Sequence, residues 1–278
     1  MRVHNSPENA AFIDWISNLS YDSTLQGLIG LPSYISQPID IGDLLNKVYP
    51  LPILQAATRD SSIFQDRVLL TTLNSSVADL NQMVLDAFPG TSRTYLSVDS
   101  VDNRERAEGV AALPIEFLQS IDIPELPPSR LSLKVGAPVM LLRNLMPQQG
   151  LCNGSRMIIT GLRSHCLEVS LLSGRFRGQS RTIPRIKLEA GESKLSFSLC
   201  RKQFPVRVCF AMTINKSQGQ SFNTVGVDLR TPVFTHSQFY VAMSHTSSME
   251  GLHVLIPGDR ARKTSNIIYL EVLADING

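Results

Sequence analysis

Apolar residues recur along this chain with two different periods. Near the start, Phe12, Trp15, Ile16 and Leu19 lie at helical spacing within "ENAAFIDWISNLS", which predicts an amphipathic helix. The stretch "LPSYISQPIDIGDLLNKVYP" begins as a Pro-broken loop and ends in a second short amphipathic helix stopped by Pro50. Val68 to Leu70 then form a short apolar run of the buried-strand kind. A Thr/Asn/Ser turn follows, and after it Val77, Leu80, Val84 and Leu85 share one side of a helix. This strand–turn–helix unit reads as α/β, with polar turn residues at the carboxyl end of a strand, where open α/β sheets bind ligands.

The texture changes from "RLSLKVGAPVMLLRNL" to "RTIPRIKL". Short β-type runs (Val139 to Leu142, Met157 to Thr160, Leu167 to Leu172) alternate with turns expected at Asn153-Gly154, Gly161 and Ser173-Gly174. That pattern predicts a small barrel or sandwich. From Val206 the α/β texture returns in "VRVCFAMTI", "TVGVDL" and "QFYVAMS". Internal repeats and low-complexity tracts are absent from the sequence. The simplest arrangement is an α/β domain interrupted by a β-rich insertion and then completed.

Composition narrows the class. With 278 residues, 43% hydrophobic and 18% charged, the chain can bury a core. Apolar runs long enough to cross a bilayer are absent, as is a secretory h-region at the start, so a soluble intracellular protein with no membrane partner is expected. Cys152, Cys166, Cys200 and Cys209 have neither CxxC pairing nor His at ligand spacing, which predicts free thiols and no metal site. The net charge of +2 conceals an asymmetry: Arg130 to Lys216 carries roughly 15 Lys and Arg against 3 acids (Glu168, Glu189, Glu192), about +12, leaving about −10 for the rest. A basic middle between acidic flanks suggests a polyanionic partner; a solvated surface with scattered arginines is the alternative.

The most informative segment is "FAMTINKSQGQSF", Phe210 to Phe222. It sets hydroxyls, amides and a Gly directly after an apolar strand. Such groups at a strand's end hydrogen-bond phosphate oxygens, and Gly219 permits close backbone approach. Taken alone, the segment also reads as an ordinary polar turn.

Together with "RVLLTTLNSSVADLN", "RLSLKVGAPVMLLRNL", "GLCNGSRMIITGL", "RKQFPVRVCFAMTINKSQGQSF" and "QFYVAMSHTSS", it closely resembles the second half of Pif1-like DNA helicases, the Helitron transposon branch in particular. The likeness is collinear from about Met1 to Ile256. It implies a RecA-like second motor domain (51–128 and 205–260) with an inserted small SH3-like β-barrel (129–204). A tail of the first motor domain (1–50) precedes these, and a C-terminal tail (261–278) follows. By the same resemblance Thr213, Asn215, Lys216 and Ser217 contact single-stranded DNA or position the turn. Gln218 and Gly219 sit near nucleotide phosphates, and Ser221 caps the following element. Thr72 and Asn74 touch DNA phosphates, while Ser75 and Ser76 stand where acids are common and read as helix caps. Asn153-Gly154 is a hairpin turn in its own right. Arg143 and Arg156 are candidates for phosphate contact or, equally, solvated surface residues. Arg2 matches a first arginine that senses the terminal phosphate.

Two departures shape the expectation. A GxxxxGK[ST] loop is absent, as is an apolar strand ending in adjacent acids; Asp228 in "VGVDLR" stands alone. In the family both elements belong to the first motor domain. Second, His245 occupies the arginine-finger position, where a guanidinium is worth about 10³ to 10⁵ in turnover. ATP and Mg²⁺ are therefore expected only with an upstream motor half in cis, and the chain alone is expected not to hydrolyse ATP. The partner implied is single-stranded DNA, with 5′-to-3′ translocation. A non-catalytic single-strand-binding module or an inactive remnant are the other readings. His236 and Gln238 are read as packing residues and Tyr240 as core. The resemblance also implies a nuclear protein of DNA repair, recombination or telomere maintenance, with the mitochondrion as the alternative location.

Overall fold

Three consecutive apolar residues, Val68, Leu69 and Leu70, are each fully buried in the computed structural model, because their strand is covered on both faces. The structure describes residues 9–101, 113–190, 197–258 and 262–269. Two compact units emerge, one from Met1–Ala87 with Phe210–Gly278, the other from Phe88–Cys209.

In the first unit, helix α1 (Ala10–Asn18) buries Phe12 and Ile16, as its spacing predicts. Strand β1 (Gly27–Gly30) pairs antiparallel with β16 (Lys263–Asn266). Helix α2 (Ile41–Val48) starts on Asp40, whose carboxylate accepts from the Asp43 N–H at 2.8 Å. Helix α3 (Leu51–Ala57) follows, with Pro50 between the two. The central sheet is parallel. Strand β2 (Arg67–Thr71) lies between β13 (Ala211–Thr213) and β14 (Thr224–Asp228), and β15 (Leu252–Leu255) completes the order β13-β2-β14-β15. Helix α4 (Asn74–Ala87) returns from β2, and α6 (Gln238–Met243) precedes β15.

Residues 41–48 are part of this unit. A Cβ built on Gly226 of β14 would lie 2.6 Å from Val48 and 2.7 Å from Leu69, so a bare glycine lets α2 close on the sheet. The carboxamide of Asn81 on α4 fastens the start of β13: its Oδ1 accepts from the Phe210 and Ala211 N–H groups, and its Nδ2 donates to the Ala211 carbonyl. Opposite, the Tyr49 hydroxyl donates toward the carbonyls of Arg67 and Phe210, and its ring meets those of Phe64 and Phe210. The entry to β13 is thus held from both sides.

The second unit is antiparallel. It comprises β3 (Arg93–Leu96), β4 (Val98–Val101), α5 (Ile115–Ser120), β5 (Arg130–Leu133), β6 (Pro138–Leu141) and β7 (Arg156–Leu162). It continues through β8 (Cys166–Leu171), β9 (Ser180–Pro184), β10 (Ile186–Glu189), β11 (Leu199–Gln203) and β12 (Val206–Val208). A five-stranded sheet runs β12-β6-β7-β8-β9, a three-stranded one β10-β11-β4, and β3 pairs with β5. Alternation along β8 buries Leu167, Val169 and Leu171 in the main core with Leu141, Ile159 and Phe204. Gly161 is not the turn expected from sequence: it lies inside β7 at an irregular register after Ile159, where the Glu168 side chain fills the space a Cβ would need. Asn153-Gly154 does form a turn, with Gly154 at φ +85°.

Candidate nucleic-acid interface

The carboxyl ends of three neighbouring strands line up. Thr71 closes β2 and is in register with Thr213 of β13 on one side and Asp228 of β14 on the other. Directly after Thr213 the chain turns through a short 3-10 segment, Ile214–Ser217. Ile214 and Ser217 are fully buried, and the Ser217 hydroxyl donates to the Ile214 carbonyl at 2.6 Å. These two side chains pin the turn inward, which leaves Asn215 and Lys216 exposed. Gln218 and Gly219 are exposed too, and Gly219 sits at φ +82°, a conformation a side chain would strain.

The far end of the turn is clamped by the segment after α6. The Phe222 N–H donates to the His245 carbonyl at 2.9 Å, and the Ser247 N–H donates to the Phe222 carbonyl at 3.0 Å. Phe222 is buried, and the His245 ring meets it edge-on at 6.5 Å. Two motifs distant in sequence, "FAMTINKSQGQSF" and "YVAMSHTSS", are therefore joined by backbone. His245 itself is only 5% exposed, so its imidazole faces protein.

Around the same strand ends, the Thr72 hydroxyl donates to the Thr231 carbonyl at 3.1 Å and is buried, tying the loop after β14 to the turn after β2. Asp228 is buried and bound by Arg230, whose Nη2 lies 2.8 Å from Oδ2 and whose backbone N–H reaches Oδ1 at 3.1 Å. That bond holds the Arg230 guanidinium above its ordinary range, with burial opposing. The carboxylate is thus committed to an ion pair. Among the described residues, no group of three or more His, Cys, Asp or Glu could hold a metal.

Other sequence candidates are placed less favourably for a ligand. Thr213 is 9% exposed and Ser217 fully buried, so both shape the turn from within. Arg156, at the start of β7, is 4% exposed, which removes it from the surface. Arg143 is half-buried, with Nη2 donating to the Glu189 carbonyl at 3.1 Å. Ser75 and Ser76 do not cap α4: the helix starts at Asn74, and the Val77 N–H donates to the Leu73 carbonyl, so both serines lie inside the first turn. Asn74 is exposed there, among the N–H groups that a 14-residue helix leaves unpaired. Ser221 precedes the Phe222 bridge and a bend at Asn223 that lead into strand β14, so no helix follows it. Gln238 is buried and accepts from the Phe234 N–H, and His236 accepts from the Tyr269 N–H and stacks on its ring; both serve packing, as expected. Tyr240 is half-buried and not a core residue, because it lies on the outer side of the short helix α6. Arg2 lies outside the described residues.

Comparison with known proteins now bears on this geometry. Residues 116–162, from α5 to the end of β7, match the family described as DNA helicase Pif1, 2B domain. The ATP-dependent DNA helicase PIF1 of Mus musculus is 30% identical over 215 residues, covering 72% of this chain and 29% of that protein. Its counterpart in Danio rerio is 34% identical over 200 residues, covering 69% and 28%. The chain is Pif1-like. It spans less than a third of the curated relatives it matches. The crystal structure of Pif1 helicase from Bacteroides in complex with ADP-AlF3 and ssDNA shares the fold of the Pif1-like chain over 100% of its length and 54% of that structure, at 22% identity and a TM-score of 0.60. The architecture is accordingly the mixed α/β one of these helicases.

Some residues that now stand out in the Pif1-like chain gave no signal in sequence. Arg230 drew no reading of its own, and its pairing with Asp228 two residues earlier shows only in the side-chain geometry at the end of β14. Phe234, 52% exposed on the loop after β14, is a surface aromatic in a chain with few of them.

Proposed function

We propose that this chain is the carboxyl-terminal motor part of a Pif1-type ATP-dependent 5′-to-3′ DNA helicase, of the Helitron branch, and that it holds single-stranded DNA across the strand ends of its parallel sheet. The observation that carries this reading is the turn after β13: pinned by Ile214, Ser217 and Phe222, it offers Asn215, Lys216, Gln218 and Gly219 to solvent. A cation and side-chain amides exposed on a pinned turn suit a phosphodiester backbone, which needs donors and no base-specific partner. Asn74 and the first N–H groups of α4 add donors at the neighbouring strand end. In this reading Gln218 and Gly219 stand beside the phosphates of ATP, which with Mg²⁺ is taken up only together with an upstream motor half in cis. The reading also takes residues 129–204, within the second unit, as the SH3-like barrel and the residues before α2 as the tail of the first motor domain, with the protein working in the nucleus.

His245 favours a second reading, a single-strand-binding module without catalysis. The imidazole is buried against Phe222 where the family resemblance calls for a guanidinium aimed at phosphoryl oxygens. The two readings separate in one assay. Joined to an upstream half carrying a GxxxxGK[ST] loop, the chain is expected to show DNA-stimulated ATP hydrolysis that rises at least ~10-fold with His245→Arg. Hydrolysis absent from both proteins rules out the helicase reading and leaves the module.

A further inference from the structure

The hairpin between β8 and β9 has the sequence "LSGRFRGQ", residues 172–179. Gly174 and Gly178 both stand at φ +78°, and the loop closes through Gly178 N–H to the Leu171 carbonyl (2.8 Å) and Arg177 N–H to the Gly174 carbonyl (3.1 Å). Its middle is Arg175-Phe176-Arg177, with both arginines exposed. Phe176 packs on the core of the second unit and serves as the floor. The Arg175 guanidinium lies 4.4 Å from the ring centroid, and that of Arg181, from β9, lies 5.7 Å away. Gly150, at φ +83°, makes room: a Cβ there would come within 2.8 Å of the Phe176 ring.

The hydrogen bonds of this cluster go to neutral acceptors. Arg175 Nη2 donates to the Gln148 carbonyl (3.4 Å). Arg181 donates to the carbonyls of Gln149 and Ser180 and to the Gln179 side-chain oxygen. Among the described residues, Arg175, Arg177 and Arg181 form no ion pair, whereas Arg163, Arg201 and Arg207 of the same unit each hold a carboxylate. Neutral acceptors orient a guanidinium without cancelling its charge. Two oriented guanidiniums, with the exposed Arg177 beside them on a glycine-bounded loop, form a site for an anion with several charges.

We infer that this hairpin loop is a second contact for the phosphodiester backbone of nucleic acid, made by Arg175, Arg177 and Arg181 over Phe176. The inference rests on the nucleic-acid reading above but concerns different residues. Because Phe176 packs on the core and Arg175 and Arg181 already lie over its ring, the loop contacts phosphates and does not stack bases.

The test uses the full chain, fluorescent single-stranded and duplex oligonucleotides, and a salt series. Each phosphate contact contributes a log–log salt slope of about −0.7 on single strands and about −0.9 on duplex. With Arg175→Gln/Arg177→Gln, the loss of affinity between about 50 and 200 mM salt is expected to be about tenfold smaller than in the wild type. Whichever oligonucleotide shows the change identifies the strand form the loop meets. Arg59→Gln/Lys263→Gln removes equal charge from exposed positions in the first unit and is expected to leave the slope alone. Wild-type binding with the same slope in both double variants, on both oligonucleotides, overturns the inference and leaves the reading of the turn standing. A wild-type chain that binds neither oligonucleotide overturns both.

Discussion

Arg201 illustrates how a charge can mislead when only sequence is in view. It was one of the cations that made residues 130–216 look polyanion-facing, yet it is 1% exposed and buried against Asp99. Its Nη2 lies 2.8 Å from Asp99 Oδ2 and also reaches the carbonyls of Leu118 and Ile121, its Nε faces the same carboxylate, and Nη1 donates to the Pro127 carbonyl. Asp99 and Arg201 are register partners on β4 and β11, which explains how one acid finds this one base. Removing half of a buried pair strands the other charge, at a cost of about 3–5 kcal/mol. Asp99→Ala is therefore expected to lower stability by ~3–5 kcal/mol in urea unfolding. A change under ~1 kcal/mol means the pair is solvated in solution. Lys134 and Arg156 are buried as well, so the charge that faces solvent is smaller than the count of residues suggests.

At the scale of elements, periodicity carried most of the information. α1, α2, β2 and α4 were legible because each packs one apolar stripe or one apolar run, and that is what the pattern of Phe12, Ile16, Leu44, Val68 to Leu70 and Leu80 records. Boundaries were harder. Leu73 opens α4 with its carbonyl but offers no capping side chain, so Ser75 and Ser76 drew the attention instead. Gly161 reads as a turn in one dimension, and only its pairing across from Glu168 shows the strand continuing. The site turn was legible as chemistry, while the burial of Thr213, Ser217 and His245 depended on partners far away in sequence. Gly226 shows such a dependence directly. With Val48 and Leu69 both within 2.7 Å of a Cβ there, Gly226→Ala must push α2 off the sheet or distort β14. The expected loss is about 1–3 kcal/mol, read as a lower thermal midpoint. An unchanged midpoint places α2 farther from β14 than described.

At the scale of the whole molecule, the chain divides into Met1–Ala87 with Phe210–Gly278 and Phe88–Cys209, whereas the sequence reading sets the inserted barrel at 129–204; the fold is shared with the Bacteroides Pif1 helicase at a TM-score of 0.60. The central functional claim is more local: the turn after β13 meets a nucleic-acid backbone. The most direct measurement is fluorescence anisotropy of a labelled single-stranded oligonucleotide titrated with the full chain across a salt series, repeated with Asn215→Ala/Lys216→Ala. The account predicts saturable binding that weakens steeply with salt, and a double variant about tenfold weaker whose slope is shallower by ~0.7, the share of one lost phosphate contact. Binding that ignores salt, or a double variant indistinguishable from wild type, contradicts it.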